Sequence, residues 1–391
     1  MGNSVTDALY FNHACVVSNF SWFIKALSGI YAVEIGMRIL SVHIANSVFS
    51  AIVLSLVVVV GIDAISAIVD ELGSIRNNYK LEDVFIYVAT SIPSRIYEYL
   101  PISTLIGCLF GLGQLADRSE IVIMRGAGIS TTKIVFFVIR PALFFVFLGL
   151  ILGEYFAPYL DQLAKGQREY LRKGDLEVDS NSGLWIREGN EIMHFNAVFP
   201  GGVLFGVTRF QFDKKLKLIQ ASYSSRASYN SVDKVWVEEN ISLTRFYPEQ
   251  LETDKLITRD WKSDLSPQLL VVNVLPPDRL SISTLYYYVN FLKDQEVSAN
   301  VYELAFWRKV LQPFVIIGLV LLGISFVFGP LRGSSIGSKI FAGVLVGVVF
   351  NIFQDLLGST SVVVGFSPWL AVLAPVFLCL FCGIFFLAKI R

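Results

Sequence analysis

Long apolar runs divide the chain into two groups of predicted helices. A helix needs ~20 apolar residues to cross a bilayer, and six regions of the sequence reach or approach that length. In chain order these regions are residues 44–69, 84–115, 134–156, 305–328, 340–357 and 368–388. The pattern therefore predicts three membrane helices, a long polar interruption, and three more membrane helices.

The interruption, from about residue 161 to 279, has no apolar run long enough to span a membrane, and charges of both signs return there. Short stretches rich in β-branched and aromatic residues alternate with turn formers, which is typical of antiparallel strands. The predicted strands are 184–186, 192–195, 203–212, 219–229, 235–238 and 241–246. We expect an all-β, jellyroll-like sandwich, followed by a short polar helix near residues 283–294.

The predicted fold is a membrane α-helical bundle of six transmembrane helices with an inserted all-β domain. We expect the first three helices within residues 37–160, the β domain within 161–282, and the last three helices within 283–391. Residues 1–36 form an N-terminal extension with two open interpretations. They either precede a start at Met37 or form a helix at the membrane interface.

Basic residues in the short loops indicate the orientation of the bundle. They concentrate after the second span, after the fourth span and at the C-terminus, as Arg118, Arg125, Lys133, Arg332, Lys339, Lys389 and Arg391. Because lysine and arginine mark cytoplasmic loops, we expect both termini in the cytoplasm and the β domain in the periplasm.

Composition and charge narrow the function classes. Hydrophobic residues make up 54% of the chain and charged residues 16%, which favours a membrane protein. The formal net charge is zero, so nucleic acid binding has no electrostatic support. Cys379 and Cys382 lie inside an apolar run, and we interpret them as packing residues, with no metal and no cofactor bound by this chain. Residues 333–339 contain glycines and a lysine, but their spacing does not match a nucleotide-binding loop.

The most informative polar segment, residues 111–128, connects the second and third spans. Asp117, Arg118 and Glu120 precede the apolar residues 121–124, and glycines follow. This order predicts a short helix near residues 117–128, lying across the end of the bundle. Such a helix can dock into a groove of a cytoplasmic partner, although a charged loop without a partner explains the residues equally well.

Several separate motifs carry a family resemblance. They are this segment, Gly-Glu-Tyr-Phe-Ala-Pro at 153–158, Leu-Ser-Ile-Ser at 280–283 and Ser-Phe-Val-Phe-Gly-Pro-Leu-Arg at 325–332. Together they closely resemble the LptF/LptG (YjgP/YjgQ) permease family of the lipopolysaccharide exporter. The similarity extends over residues 37–391, and the form Phe-Gly-Pro-Leu-Arg is similar to the LptG branch.

The resemblance implies an inner-membrane permease subunit that is not itself an enzyme. It would work with LptF, an LptB dimer that uses ATP and Mg, LptC and, through the periplasmic bridge, LptA. Lipopolysaccharide would leave the outer leaflet through a gate between the first span of one permease and the fifth span of the other. Glu120 matches the family's coupling glutamate, which contacts an arginine of LptB, and Asp117 and Arg118 lie beside it.

The resemblance also implies a head-group site past the third span. Lys165 and Arg168 match basic family positions that contact the phosphorylated head group, and a pair of solvated charges is the other interpretation. A lysine that the family carries at the outer end of the first span is absent here, near Ala67. We expect Arg76 or Lys80 to replace it.

Two other function classes stay open. An ion-gradient-driven secondary transporter would hold paired ionisable residues or broken helices near the bilayer midplane, and apart from prolines the spans show little of that. A membrane-anchored periplasmic scaffold would need no partner at residues 111–128. Asp63, the one acid in the first span, lies ~28 Å from its start, so we expect a hydrated carboxylate at the interface.

Overall fold

The computed structural model describes residues 4–76, 78–173, 184–247, 250–263, 265–294, 297–331 and 333–389, with side chains from Gly36 onward. Within these ranges, six helices are long and apolar enough to cross a membrane. They span Gly36–Leu72, Leu81–Asp117, Thr131–Arg172, Asn300–Phe328, Ile336–Val364 and Pro368–Lys389. The prediction of six transmembrane helices around an inserted β domain is confirmed.

We number the helices along the chain, and the first begins within the predicted extension. They are α1 (Ser4–Leu72), α2 (Leu81–Asp117), α3 (Glu120–Gly126), α4 (Thr131–Ile151), α5 (Ala157–Lys173), α6 (Pro267–Val274), α7 (Ile282–Asp294), α8 (Asn300–Phe328), α9 (Ile336–Val364) and α10 (Pro368–Lys389). A 3-10 turn, Pro277–Arg279, precedes α7.

The third span is longer than predicted. The sequence predicted its end at residue 156, before Pro158, but the helix continues through a π-helical turn, Leu152–Phe156, into α5. A proline ring normally clashes with the preceding turn, and a widened turn relieves that clash. The third span is therefore one continuous helix that reaches the sheet.

Glycines allow α1 and α2 to pack closely. A Cβ atom at Gly107 would lie 2.4 Å from the Cα of Ile52, and one at Gly111 would lie 2.9 Å from the Cα of Val48. Side chains larger than hydrogen would push the two backbones apart. Gly107 and Gly111 of the second span therefore serve close contact between the two helices.

The β domain is one antiparallel sheet of six strands in chain order. The strands are β1 (Leu184–Glu188), β2 (Glu191–Phe199), β3 (Val203–Phe212), β4 (Leu218–Asn230), β5 (Val235–Phe246) and β6 (Leu251–Trp261). An antiparallel β domain is thus confirmed, and the finer term jellyroll is supported only that far, since the described strands form a meander in a single sheet.

Two strand predictions need correction. The sequence predicted separate strands at 235–238 and 241–246, whereas β5 runs through both. Asn240 adopts φ 53° inside this strand, a conformation that asparagine tolerates, so a turn-forming residue does not end it. The second correction is β6, which the sequence did not predict.

The sheet packs on the extended third span. Its core contains Phe195, Leu204, Trp236 and Trp261 together with Leu270 of α6. On the side of α5, a Cβ atom at Gly166 would lie 2.9 Å from the carbonyl oxygen of Val198 in β2, so helix and strand are in close contact. The bundle therefore has two ends. We call the end that carries α3 the α3 end, and the end at which α5 meets the sheet the sheet end.

Candidate functional site

The predicted short helix at the α3 end is present as α3. Ile121 and Met124 are buried against the bundle, whereas Val122 and Ile123 are 53% and 69% exposed. An amphipathic helix normally turns its apolar side chains inward, and here two point outward. Val122 and Ile123 are therefore available for contact with a partner.

An ion pair joins the end of α2 to the start of α9, beside α3. The Nζ atom of Lys339 lies 2.6 Å from Oδ1 of Asp117, and the lysine side chain is completely buried. Its alkyl chain packs against Gly113, where a Cβ atom would lie 2.9 Å from Cδ of the lysine. From sequence, Lys339 was only a cation of a cytoplasmic loop, so this pairing was missed.

Glu120, the first residue of α3, contacts the first span. Its Oε2 atom lies 2.9 Å from Nε2 of His43, with both side chains partly exposed. Arg118 is exposed beside them. The structure therefore brings Asp117, Arg118 and Glu120 to one place, with two of the three engaged by residues of other helices.

At the sheet end, Arg168 on α5 is engaged within the chain. Its Nε donates to the carboxylate of Glu71 at 2.5 Å, and its Nη2 donates to Oγ of Ser74 at 3.0 Å. Its guanidinium also lies 5.6 Å from the ring centre of Tyr87. Burial and the nearby Glu71 carboxylate raise the pKa of Tyr79, so its hydroxyl stays neutral. Arg168 thus joins α5 to the end of α1.

The other predicted head-group residues lie around this cluster in different environments. Lys165 donates from Nζ to the carbonyl oxygen of Val274 at 3.2 Å. Arg76, in the connection between α1 and α2, and Lys80 at its end are both exposed. Of the four predicted cations, Arg76 and Lys80 are therefore the accessible ones.

The motif residues 153–158 and 280–283 meet in space. The Glu154 carboxylate accepts hydrogen bonds from the backbone N–H groups of Ile282 at 2.8 Å and Ser283 at 3.3 Å. The hydroxyl of Ser283 donates to it at 2.6 Å. This carboxylate caps the first turn of α7, the helix that leads from the sheet to the fourth span. Arg332, at the end of the motif 325–332, lies outside the described residues.

Ion pairs that the sequence did not predict join different membrane helices. Arg308 of α8 pairs with Asp355 of α9 at 3.0 Å. Asp63 is also paired, with Arg95, and it accepts a hydrogen bond from Tyr99 at 2.8 Å, so this carboxylate has protein partners that the sequence did not predict. These pairs join different helices and have no signature in a single apolar run.

A buried cation beside the π-helical turn was also missed. Lys309 is 4% exposed, and its Nζ atom lies 3.5 Å from the carbonyl oxygen of Gly153 and 4.9 Å from the ring centre of Tyr97. A π-helical turn displaces backbone carbonyls from their usual partners, which leaves one for the ammonium. The adjacent Arg308 and Lys309, only four residues into the predicted span, were the available signal.

A polar cavity of about 510 Å³ opens at this level between α2, α8 and α9. Charged and amide side chains line the cavity, among them Lys309, Gln312 and Asp355. The aromatic rings of Tyr97 and Phe350 also line it. Within the described ranges, no group of three or more His, Cys, Asp or Glu side chains is arranged to hold a metal ion.

The first and fifth spans turn broad apolar faces outward. On α1 the exposed side chains include Val57, Ile62, Ile65 and Val69, and on α9 they include Phe341, Val349, Ile352 and Leu356. By contrast, α2 and α8 lie mostly inside the bundle. The spans most available to lipid or to another membrane protein are therefore the first and the fifth.

Comparison with known proteins agrees with this arrangement. The family described as "Lipopolysaccharide export system permease LptF/LptG" matches residues 42–389. The chain is 32% identical to the lipopolysaccharide export system permease protein LptG of Haemophilus influenzae, over 85% of this chain and 93% of that protein. It is 31% identical to LptG of Escherichia coli K12, over 86% of this chain and 94% of that protein. On this evidence, the chain belongs to the LptF/LptG family of lipopolysaccharide export permeases.

Proposed function

We propose that this chain is the LptG-type permease subunit of an ATP-driven lipopolysaccharide exporter in the bacterial inner membrane. In this proposal the α3 end faces the cytoplasm and the sheet faces the periplasm. The chain pairs with LptF, and an LptB dimer hydrolyses ATP with Mg. LptC and LptA receive the lipid beyond the sheet. Family membership and the six membrane helices support this assignment.

Two observations together support the coupling role. An ion pair holds the helix end that precedes α3, and two apolar side chains of α3 are exposed. The pair Asp117–Lys339 holds the end of α2 to the start of α9, while Val122 and Ile123 are exposed. A partner that binds these apolar side chains would move both helices together, because separating the pair would leave the buried Lys339 ammonium without a counter-charge. Glu120 adds a charge at the same surface.

The exposed faces of the first and fifth spans support the proposed lipid route. Wetting several acyl chains would cost on the order of 50 kcal/mol at ~0.8 kcal/mol per CH₂, so the lipid must pass between apolar surfaces. The outward faces of α1 and α9 supply such surfaces for a gate shared with LptF. The sheet, joined to α5, provides the next surface.

Cations at the sheet end would receive the phosphates of the head group. Arg76 is exposed and can meet a phosphate directly, while Arg168 is engaged with Glu71 and Ser74. We therefore assign Arg76 to direct contact, and Lys165 and Arg168 to the edge of the same basic surface.

The coupling role is tested with two substitutions on α3. Glu120→Ala and Ile123→Asp should each weaken association with the ATPase by about tenfold or more, since each removes a central contact. The matched control is Glu82→Gln, an exposed acid at the opposite end of the second span. Association and lipid-coupled ATP turnover that stay at wild-type levels in both α3 variants would contradict the proposal.

A second candidate function, ion-gradient-driven transport, is favoured by one observation. Lys309 is buried beside a polar cavity, and the Arg308–Asp355 pair lies next to it. Buried ionisable groups in spans are typical of ion pathways. Lipid movement by the purified permease pair in the absence of the ATPase, driven by a proton gradient, would support this function, and movement strictly dependent on ATP would exclude it.

A further inference from the structure

A second basic surface lies at the α3 end, on the side of the bundle where the first and third spans meet. A groove of about 620 Å³ opens there between α1 and α4. Arg38 of α1 and Lys133 and Arg140 of α4 line this groove. Phe136 and Phe137 form an apolar wall beside the three cations. The groove thus combines concentrated positive charge with a surface suited to hydrocarbon.

The charge of this groove is not neutralised by the side chains that the structure describes. The 15 ion pairs found among them include none of its three cations. Lys133 has its Nζ atom 3.8 Å from Sδ of Met37, and the guanidinium of Arg140 lies 5.0 Å from the ring centre of Phe136. These contacts orient the cations and leave their charge available to a ligand.

The position of Arg140 decides what kind of ligand fits. It lies nine residues after the start of α4, which is ~14 Å along the helix axis, and its side chain is exposed. An exposed guanidinium at this depth faces lipid, where it is unfavourable unless it extends to the polar boundary and meets an anion. Phosphate oxygens match the donor geometry of a guanidinium.

We propose that the groove binds the phosphate of an anionic phospholipid from the leaflet at the α3 end. Arg38, Lys133 and Arg140 hold the phosphate, and the acyl chains lie against Phe136 and Phe137. Basic pockets between membrane helices are suited to such head groups. This site lies at the opposite end of the bundle from the proposed lipopolysaccharide site, and it depends on the six-span architecture and not on the exported cargo.

The experiment compares lipid retention by the full-length chain and its variants. Each protein is exchanged in detergent containing equal amounts of phosphatidylglycerol and phosphatidylcholine, and the retained lipids are measured by mass spectrometry. Wild type should be enriched in phosphatidylglycerol, and Arg38→Gln/Arg140→Gln should lower that enrichment by about tenfold. Arg140→Lys keeps the charge and should keep most of the enrichment. The matched control, Lys389→Gln, removes an exposed cation of α10 at the same end and should change nothing.

Three results would overturn the proposal. The first is the same enrichment in the double variant as in wild type, and the second is an equal loss in Lys389→Gln, which would indicate a general charge effect. The third is loss of the enrichment when inorganic phosphate is added to wild type, because a lipid held also by its acyl chains resists a free anion. Weaker binding of the ATPase by the double variant, with lipid retention unchanged, would assign the groove to a protein partner instead.

Discussion

The carboxylate of Glu154 accepts a hydrogen bond from the hydroxyl of Ser283 at 2.6 Å, across 129 residues of sequence. It also accepts the backbone N–H of Ile282, so it satisfies donors in the first turn of α7 that have no partner within the helix. A negative charge at a helix N-terminus is favourable as well. The third span is thereby joined to the segment that returns the chain from the sheet to the membrane.

Glu154→Ala should destabilise the purified protein by ~1–2 kcal/mol, because it removes a cap and leaves backbone donors unsatisfied. The measurement is thermal unfolding in detergent, followed by the fluorescence of the tryptophans. Glu252→Gln is the control, since its pair with Arg245 is half exposed and should contribute less than ~1 kcal/mol. Equal midpoints for Glu154→Ala and wild type would show that the cap has no effect.

The pair Asp117–Lys339 should respond unequally to the loss of either member. Asp117→Asn leaves a completely buried ammonium without a counter-charge, and we expect a cost of about 3 kcal/mol. Lys339→Met leaves a carboxylate that is 38% exposed and can be hydrated, so about 1 kcal/mol is expected. Chemical unfolding of both variants tests the order. The double variant should be more stable than Asp117→Asn alone, and the reverse order of the single variants would contradict this account.

Gly107→Ala should separate the first two spans. The new Cβ atom would meet the Cα and N atoms of Ile52 at 2.4 and 2.7 Å, and these backbone atoms cannot move aside as a flexible side chain could. We expect a loss of about 3 kcal/mol, visible as a lower yield of monodisperse protein. Gly61→Ala is the control, because a Cβ there meets nothing within 4 Å. Equal yields from the two variants would argue against close packing of α1 and α2.

Substitutions should distinguish two roles among the cations of the sheet end, one in lipid binding and one in stability. Arg76→Glu should reduce photocrosslinking to lipopolysaccharide without changing the thermal midpoint, since its side chain is exposed. Arg168→Gln should lower the midpoint, because it leaves the buried Glu71 carboxylate without its partner. An unaltered crosslink in Arg76→Glu would remove that residue from the head-group site.

The membrane helices were predictable because an apolar run of sufficient length has few alternatives to a spanning helix. The residues at which these helices end were less predictable, and Pro158 shows the reason. A proline normally ends a helix, but the π-helical turn before it lets the chain continue as α5. Such a turn depends on tertiary contacts, so no local pattern announces it.

The strand β6 was missed for a different physical reason. Strands are recognised by an alternation of apolar and polar residues, which requires one face to be buried. Most side chains of β6 are exposed on both faces, and its sequence carries charges at Glu252, Asp254, Lys255, Arg259 and Asp260. An edge strand with charged residues avoids unwanted pairing, and the same charges conceal it from sequence analysis.

The sequence revealed candidate site residues where a charged residue followed an apolar run. It did not reveal the residues that pair with them. Asp117 and Glu120 were visible at the end of an apolar run, but Lys339 is 222 residues from Asp117. Lys309 and Gly153 are separated by 156 residues. Only the packing of the helices brings such groups together, and a single sequence holds no record of it.

The π-helical turn Leu152–Phe156 also has an angular consequence. Each residue of an α-helix advances the side chains by about 100° around the axis, so one extra residue within a turn rotates everything beyond it by a similar angle. Gly166, which contacts β2, lies beyond that turn. Deleting one residue from the turn would aim a different face of α5 at the sheet, and the whole β domain would swing around the third span while every membrane helix kept its place.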